Sequence, residues 1–279
     1  MKNFTKKAEL QQYLATLRAG GAIVTFVPTM GALHPGHLSL IKQAQQLGNV
    51  VVCSIFVNPT QFNDTKDLEI YPRPILEDIK KLEQVNCDIL FNPDVDEMYA
   101  GNESWHLDIG ELEGLLEGKF RPGHYQGVTQ VVYKLFTIVK PDIALFGQKD
   151  YQQFLVISRM VSLLNLPVKL VMCPIARDAD GLALSSRNIH LTPADRQHAL
   201  ILSKTLNSIK QQFSPDHIDQ LQQQAVTAIN KEPGVTLGYF EIADAETLHP
   251  ASKSTKKFIA LVAATVGKTR LIDNVVLKD

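Results

Sequence analysis

The sequence is poor in the residue types that would announce several common functions. Its three cysteines, Cys53, Cys87 and Cys173, lie far apart and in or beside apolar runs. That spacing favours buried free thiols in a reducing cytosol over a disulfide framework or a zinc site. Charge of either sign is not in excess: 28 Lys and Arg stand against 29 Asp and Glu, for a net charge of -1. With no basic stripe, neither nucleic acid nor an anionic membrane is expected as a main partner. No apolar run reaches the ~20 residues of a membrane span, and Met1 to Lys7 carries no signal-peptide pattern, so a cytoplasmic protein is expected. Repeats and low-complexity tracts are missing too, and no Ser-His-Asp or Cys-His arrangement suggests a protein nucleophile.

What is present is an ordinary globular composition, 45% hydrophobic and 20% charged over 279 residues, enough for one large or two unequal domains. Apolar strands alternate with amphipathic helices through the first two thirds. Helices are expected over 4–17, 37–47, 75–84, 127–139 and 151–164, and strands over 23–27, 50–57, 88–91, 142–146 and 168–173. This alternation predicts an α/β fold, a doubly wound parallel sheet, in residues 1–175. From 98 to 124 the chain reads as irregular. After Arg177 the texture changes. Helices over 193–213 and 217–230 and strands over 237–243, 257–266 and 270–277 predict a smaller C-terminal α+β domain, 176–279.

Doubly wound sheets bind ligands at the carboxyl ends of their strands, and three polar, glycine-bearing segments fall there. The first follows the strand ending at Val27 and reads Pro28-Thr29-Met30-Gly31-Ala32-Leu33-His34-Pro35-Gly36-His37. Strand, glycine loop and helix start form an anion site, and Pro35 suits the first helical turn. His34 and His37 can be read as metal ligands, as structural histidines or as donors to a phosphate. The last suits their loop context, since a helical metal pair is more often spaced by four. The second segment is Asn58-Pro59-Thr60-Gln61-Phe62, whose neutral amides, with Gln153, could hold a small hydroxy acid without repelling it. The third is Gly147-Gln148-Lys149-Asp150, in which Lys149 could neutralise phosphate and Asp150 could meet Mg²⁺ through water. Further on, Ser185-Ser186-Arg187 offers two hydroxyls and a guanidinium in a glycine-hinged loop that could clamp a polyphosphate. Val128, Val131 and Val132 could wall a pocket or simply pack the core. Arg121 could help close the site, and His124 reads as structural.

These motifs, with Arg121-Pro122-Gly123-His124, Asp180 to Asn188 and Arg270-Leu271-Ile272-Asp273-Asn274, occur in an order that resembles the pantoate–β-alanine ligase family almost end to end. That family belongs to the cytidylyltransferase-like superfamily, all of whose members share the HxGH motif, here His34 to His37. The resemblance implies a Rossmann-like nucleotide- and pantoate-binding domain followed by a lid domain. It implies an AMP-forming carbon–nitrogen ligase that uses MgATP to condense (R)-pantoate with β-alanine through pantoyl adenylate, as a cytoplasmic homodimer. ATP contacts are implied at Met30, Gly31, Ala32, Leu33, His34, Pro35, Gly36 and His37, at Gly147, Gln148, Lys149 and Asp150, at Ala176, and at Leu184, Ser185, Ser186 and Arg187. Pantoate contacts are implied at Gln61 and Gln153, with Gln61 also near β-alanine and Asn58 beside it. His37 matches the position of a proton donor. Gln148 departs from the Glu usual in the family. A nucleotidyltransferase that stops at adenylylation, and a nucleotide-binding protein without turnover, remain the alternatives.

Overall fold

A computed structural model describes residues 1–63, 65–99, 101 and 103–278. Two compact units make up the chain: Met1–Gly147 with Gln153–Cys173, and Gln148–Gln152 with the residues from Pro174 onward.

The first unit is built on six parallel strands: β1 (Lys2–Phe4), β2 (Val24–Thr29), β3 (Val50–Ile55), β4 (Ile89–Phe91), β5 (Ile143–Gly147) and β6 (Lys169–Cys173). Their order in the sheet is β1-β4-β3-β2-β5-β6. The helices are α1 (Lys7–Ala19), α2 (Pro35–Leu47), α3 (Thr65–Ile70), α4 (Ile75–Gln84), α5 (Val95–Met98), α6 (Leu116–Phe120), α7 (His124–Val139) and α8 (Tyr151–Leu163).

Successive strand residues face opposite ways, and the core divides accordingly. Phe26, Val52, Ile89 and Phe146 pack with Leu10 and Leu14 of α1, Val128, Val131, Val132 and Phe136 of α7, and Ile157 of α8. Their neighbours Val27, Val51, Leu90 and Leu145 pack with Leu40 and Ile41 of α2 and Leu82 of α4. Strands buried on both faces have no polar side to show, which is why they read as continuous apolar runs. The α7 valines are core residues.

Two expectations need correction. Phe4 belongs to β1 rather than to the first helix. This edge strand pairs Lys2 with Ile89 and Phe4 with Phe91, and three mostly polar residues carry no periodicity that could announce it. The segment 98–124, read as irregular, holds α6 and a 3₁₀ turn at Gly110–Glu113; residues 100 and 102 of that stretch lie outside the described residues. It is pinned to α7 by Gln126, whose amide accepts from Leu107 N and donates to Leu107 O, both at 3.0 Å. Trp105 Nε1 donates to Thr129 Oγ1 at 3.0 Å.

The second unit packs α9 (Pro193–Gln212) and α10 (Ile218–Asn230) on an antiparallel sheet of β7 (Val235–Asp244), β8 (Phe258–Val266) and β9 (Thr269–Lys278). Thr192 and Asp195 cap α9 reciprocally ahead of Pro193. Phe240, Ile242, Phe258, Ala260 and Val262 meet Leu206, Ile209 and Leu221 in its core.

All three cysteines are buried and free. Burial pushes the Cys87 thiol up to about 12 and that of Cys173 to about 11, and it raises Cys53 as well. A thiol at about 12 is ionised to only about one part in ten thousand at pH 8, and the thiolate is the nucleophile. The folded protein is therefore expected to leave all three thiols unmodified by an aromatic disulfide reagent at pH 8, and to react with three equivalents once unfolded in guanidinium. Rapid modification in the native state would contradict the burial.

Candidate nucleotide and acid site

The order of the strands reverses at β2. The chain runs outward from β2 through β3 to β4, and β5 returns to its other side. The carboxyl ends of β2 and β5 therefore flank the crevice where such sheets bind ligands. Val24 N donates to Asp142 Oδ2 at 2.7 Å, which fixes the start of β2 against the entry to β5.

Beyond Thr29 the backbone turns through two successive left-handed residues, Gly31 (φ 81°) and Ala32 (φ 48°). A Cβ on Gly31 would lie 3.0 Å from Ile55 Cγ2 and 3.1 Å from Asp78 Oδ2. Asp78, on α4 and 1% exposed, holds this turn. Its Oδ2 accepts from Ala32 N at 2.7 Å and its Oδ1 from Leu33 N at 2.8 Å. One helical turn on, Lys81 Nζ donates to Leu33 O at 2.7 Å and lies 3.7 Å from Asp78 Oδ1. Thr29 Oγ1 accepts from Gly31 N at 3.2 Å. The N–H groups of Gly31, Ala32 and Leu33 are thus directed at protein acceptors. A cavity of about 280 Å³ opens beside the loop, lined by Met30, Gly31, Phe56, Arg73, Asp78 and Asn92 among others.

His34 occupies the position before α2 and Pro35 its first turn. His34 N donates to His37 Nδ1 at 3.3 Å, and the two rings stack with centroids 3.9 Å apart, tilted by 31°. A ring nitrogen that accepts a backbone N–H carries no proton. The proton of the neutral His37 ring is therefore on Nε2, which becomes a donor. The peptide groups here are partly spent, His37 N and Leu38 N both donating to His34 O at 2.8 and 3.2 Å.

Asn58 and Gln61 sit in the 3₁₀ turn after β3, both buried. Asn58 Nδ2 donates to Gly127 O at 3.0 Å and to Gln61 Oε1 at 3.3 Å. Its Oδ1 accepts from Tyr99 Oη at 2.7 Å and from Thr60 Oγ1 at 3.1 Å. Asn58 is therefore a strut that orients Gln61, whose Nε2 reaches Met30 Sδ at 2.9 Å. From the other side, His124 Nδ1 lies 2.7 Å from Gln61 O, and Arg121 Nη2 donates to the same oxygen at 3.4 Å. His124 thus has the structural setting expected of it, and Arg121 shares it. Burial raises the Tyr99 phenol. On α8, Gln153 is half-buried while Gln152 is buried.

The remaining candidates belong to the second unit. Gln148–Asp150 forms a 3₁₀ turn, with Asp150 exposed. Ala176 and Leu184 are brought together, Leu184 N donating to Ala176 O at 3.0 Å, next to an antiparallel bridge between Arg177 and Ala183. Ser185 caps the following 3₁₀ turn, Ser186–His190, with its Oγ accepting from Arg187 N at 3.3 Å. Asn188 Nδ2 closes the loop on Ala183 O at 3.0 Å.

Asp78, Lys81, Tyr99 and Gly127 are contributors that sequence reasoning did not single out. Gly127 alone had a signal, as a glycine inside an apolar helix. A Cβ there would come within 2.7 Å of Gln61 Cα and closer still to the Thr60 carbonyl. Gly127→Ala is expected to cost about 1–3 kcal/mol as overpacking against backbone, seen as a fall of several degrees in Tm. An unchanged Tm would show that the turn at 59–61 yields freely.

The chain matches the family model described as pantoate-beta-alanine ligase over residues 2–276. It is 46% identical to a pantothenate synthetase of Thermotoga neapolitana, over 96% of this chain and 97% of that one. Among solved structures it is similar to a pantothenate synthetase of Thermus thermophilus, with a TM-score of 0.93, 40% identity and all of both chains covered. It is also similar to a pantoate-beta-alanine ligase of Francisella tularensis described as complexed with beta-gamma ATP and beta-alanine. There the TM-score is 0.82 and the identity 35%, over 99% of this chain and 98% of that one. A match of this extent, joined to the β2 loop, the stacked imidazoles and the buried Asn58–Gln61 pair, places the chain in the pantoate–β-alanine ligase family.

Proposed function

We propose a division of labour among this chain's residues for the reaction of its family. The chain is an ATP-dependent ligase that condenses (R)-pantoate with β-alanine and releases AMP and pyrophosphate. A carboxylate oxygen of pantoate attacks the α-phosphorus of ATP, and the bond to pyrophosphate breaks. The amine of β-alanine then attacks the carbonyl of pantoyl adenylate. The carbon–oxygen bond to AMP breaks, and the amine proton leaves to solvent or to the departing group.

Neither step needs a protein nucleophile. Both need reactants held in line and donors aimed at developing charge. The observation that carries our assignment is the stacked His34–His37 pair, whose hydrogen bond sets an Nε2 donor on His37. His37 and His34 serve the phosphates at the start of α2. Lys149, Ser185, Ser186 and Arg187 supply further donors, and Met30 to Gly36, Gly147, Gln148, Asp150, Ala176 and Leu184 line the nucleotide. Ala32 and Leu33 take part through atoms other than their N–H groups, which Asp78 holds. Gln61 and Gln153 hold pantoate, and Asn58 acts by orienting Gln61.

Magnesium enters with ATP. Among the described residues no group of three His, Cys, Asp or Glu is placed to hold a metal ion. An exposed Asp150 suits an ion that keeps its waters and is carried by phosphate oxygens. Residues 1–175 serve as the nucleotide- and pantoate-binding domain and 176–279 as a lid that shields the acyl adenylate from water. The enzyme is read as a cytoplasmic homodimer, which sedimentation at working concentrations tests.

AMP release from pantoate, ATP and Mg²⁺ should require β-alanine for sustained turnover, whereas pantoate-dependent ATP–pyrophosphate exchange should not. AMP formation indifferent to β-alanine would overturn the ligase assignment. His37→Ala and Lys149→Ala should each lower that exchange by roughly 10²-fold, the scale of one lost transition-state donor. Near-normal exchange in both would remove them from the phosphate site.

A further inference from the structure

The two phosphate-donor segments of the second unit are far apart in sequence, yet both are tied to one dipeptide of β9. Asn274, 2% exposed, spends its whole amide on the turn that carries Lys149. Its Nδ2 donates to Gln148 O and to Lys149 O, each at 3.0 Å, and its Oδ1 accepts from Gln148 Nε2 at 3.1 Å. The following residue on the turn's far side is tied down as well, Tyr151 Oη donating to Ala245 O at 2.9 Å.

Asp273 serves the other segment. It pairs fork to fork with Arg177, Oδ2 to Nη1 at 2.7 Å and Oδ1 to Nη2 at 2.8 Å. Arg177 Nη1 also donates to Gly181 O at 3.2 Å, so the guanidinium spans the stem of the loop that carries Ser185 to Arg187. The Asp273 carboxylate is itself fixed, with Oδ1 accepting from Asn274 N at 2.8 Å. A second tie on this stem comes from Arg196, which reaches Asp178 at 2.7 Å and Asp180 at 2.8 Å.

We propose that Asp273 and Asn274 are positioning residues for adenylate formation, Asn274 acting through Lys149 and Asp273 through the Arg177-held loop of Ser185 to Arg187. The physical reason is the nature of the donors. A lysine ammonium is a point charge on a flexible stem, so its aim depends on where its own backbone is held. Asn274 holds that backbone by two carbonyls at once. The Arg177 pair is planar and bidentate, which fixes direction as well as distance. Neither Asp273 nor Asn274 needs to touch ATP.

The proposal rests on the reading of Lys149 and Arg187 as phosphate donors, and a crossed set of variants separates the two. In the full-length enzyme, Asn274→Asp keeps the side-chain shape but turns a double donor into an acceptor facing two carbonyls. Asp273→Asn keeps the shape and loses the fork. Each is expected to lower kcat for pantoate-dependent ATP–pyrophosphate exchange by about tenfold or more, the scale of a misplaced group, while leaving the KM for pantoate within about twofold. The effect of Asn274→Asp should largely vanish in a Lys149→Ala background and persist in an Arg187→Ala background. Asp273→Asn should show the reverse. Normal kcat in the two β9 variants, with Lys149→Ala and Arg187→Ala impaired, overturns this proposal alone. Normal kcat in Lys149→Ala and Arg187→Ala overturns the underlying reading. Effects that add equally in both backgrounds overturn the proposal, because they mark a general structural loss. If Asn274→Asp does not fold, as judged by thermal melting, Asn274→Ser takes its place. Failure of both to fold assigns Asn274 to stability and also overturns the proposal.

Discussion

The carboxylate of Asp78 is the contact on which the loop after β2 depends. Two successive residues with positive φ, one of them an alanine, cost about 1–3 kcal/mol in backbone strain. Burying a carboxylate costs several kcal/mol more. Against these stand two hydrogen bonds from peptide N–H groups to a charged acceptor, each contributing about 1.5–3 kcal/mol, with Lys81 close by. The balance comes out near even, so the loop holds its shape only as long as both bonds do. His34 follows directly from that turn, and the stacking of the two imidazoles follows from His34.

A second arrangement of the same kind surrounds Gln61. Gln61 cannot wander: Asn58 holds its amide, His124 and Arg121 hold its carbonyl, and Gly127 allows α7 to press against its backbone. The recurring device is a buried polar side chain that spends its hydrogen bonds on a neighbouring candidate residue. Asn274 repeats it at Lys149.

The parallel sheet was legible because strands buried on both faces leave continuous apolar runs, and because Gly48 and Lys140-Pro141 punctuate the helices. The three strand-end segments were legible for the same reason, since their polarity interrupts those runs. β1 was not, because an edge strand of three residues makes its contribution through backbone pairing with β4 and not through side-chain pattern. Nor was Asp78. On the sequence it is one acid in the first turn of an amphipathic helix, where an exposed dipole partner is the ordinary reading. Its partners lie 45 and 46 residues away. Strand, glycine loop and helix start read together as an anion site built on peptide N–H groups. Local sequence cannot tell whether such groups face a ligand or a carboxylate brought in by another helix.

Leu33 offers both its N–H and its C=O to a single turn of α4, to Asp78 and to Lys81. Its amide proton can therefore leave for deuterium only when that helix turn lets go. Isotope exchange at one leucine becomes a gauge of α4 as a whole. A change on the far side of α4 would be felt at the imidazoles as a loosening of their footing, with both histidines still in place.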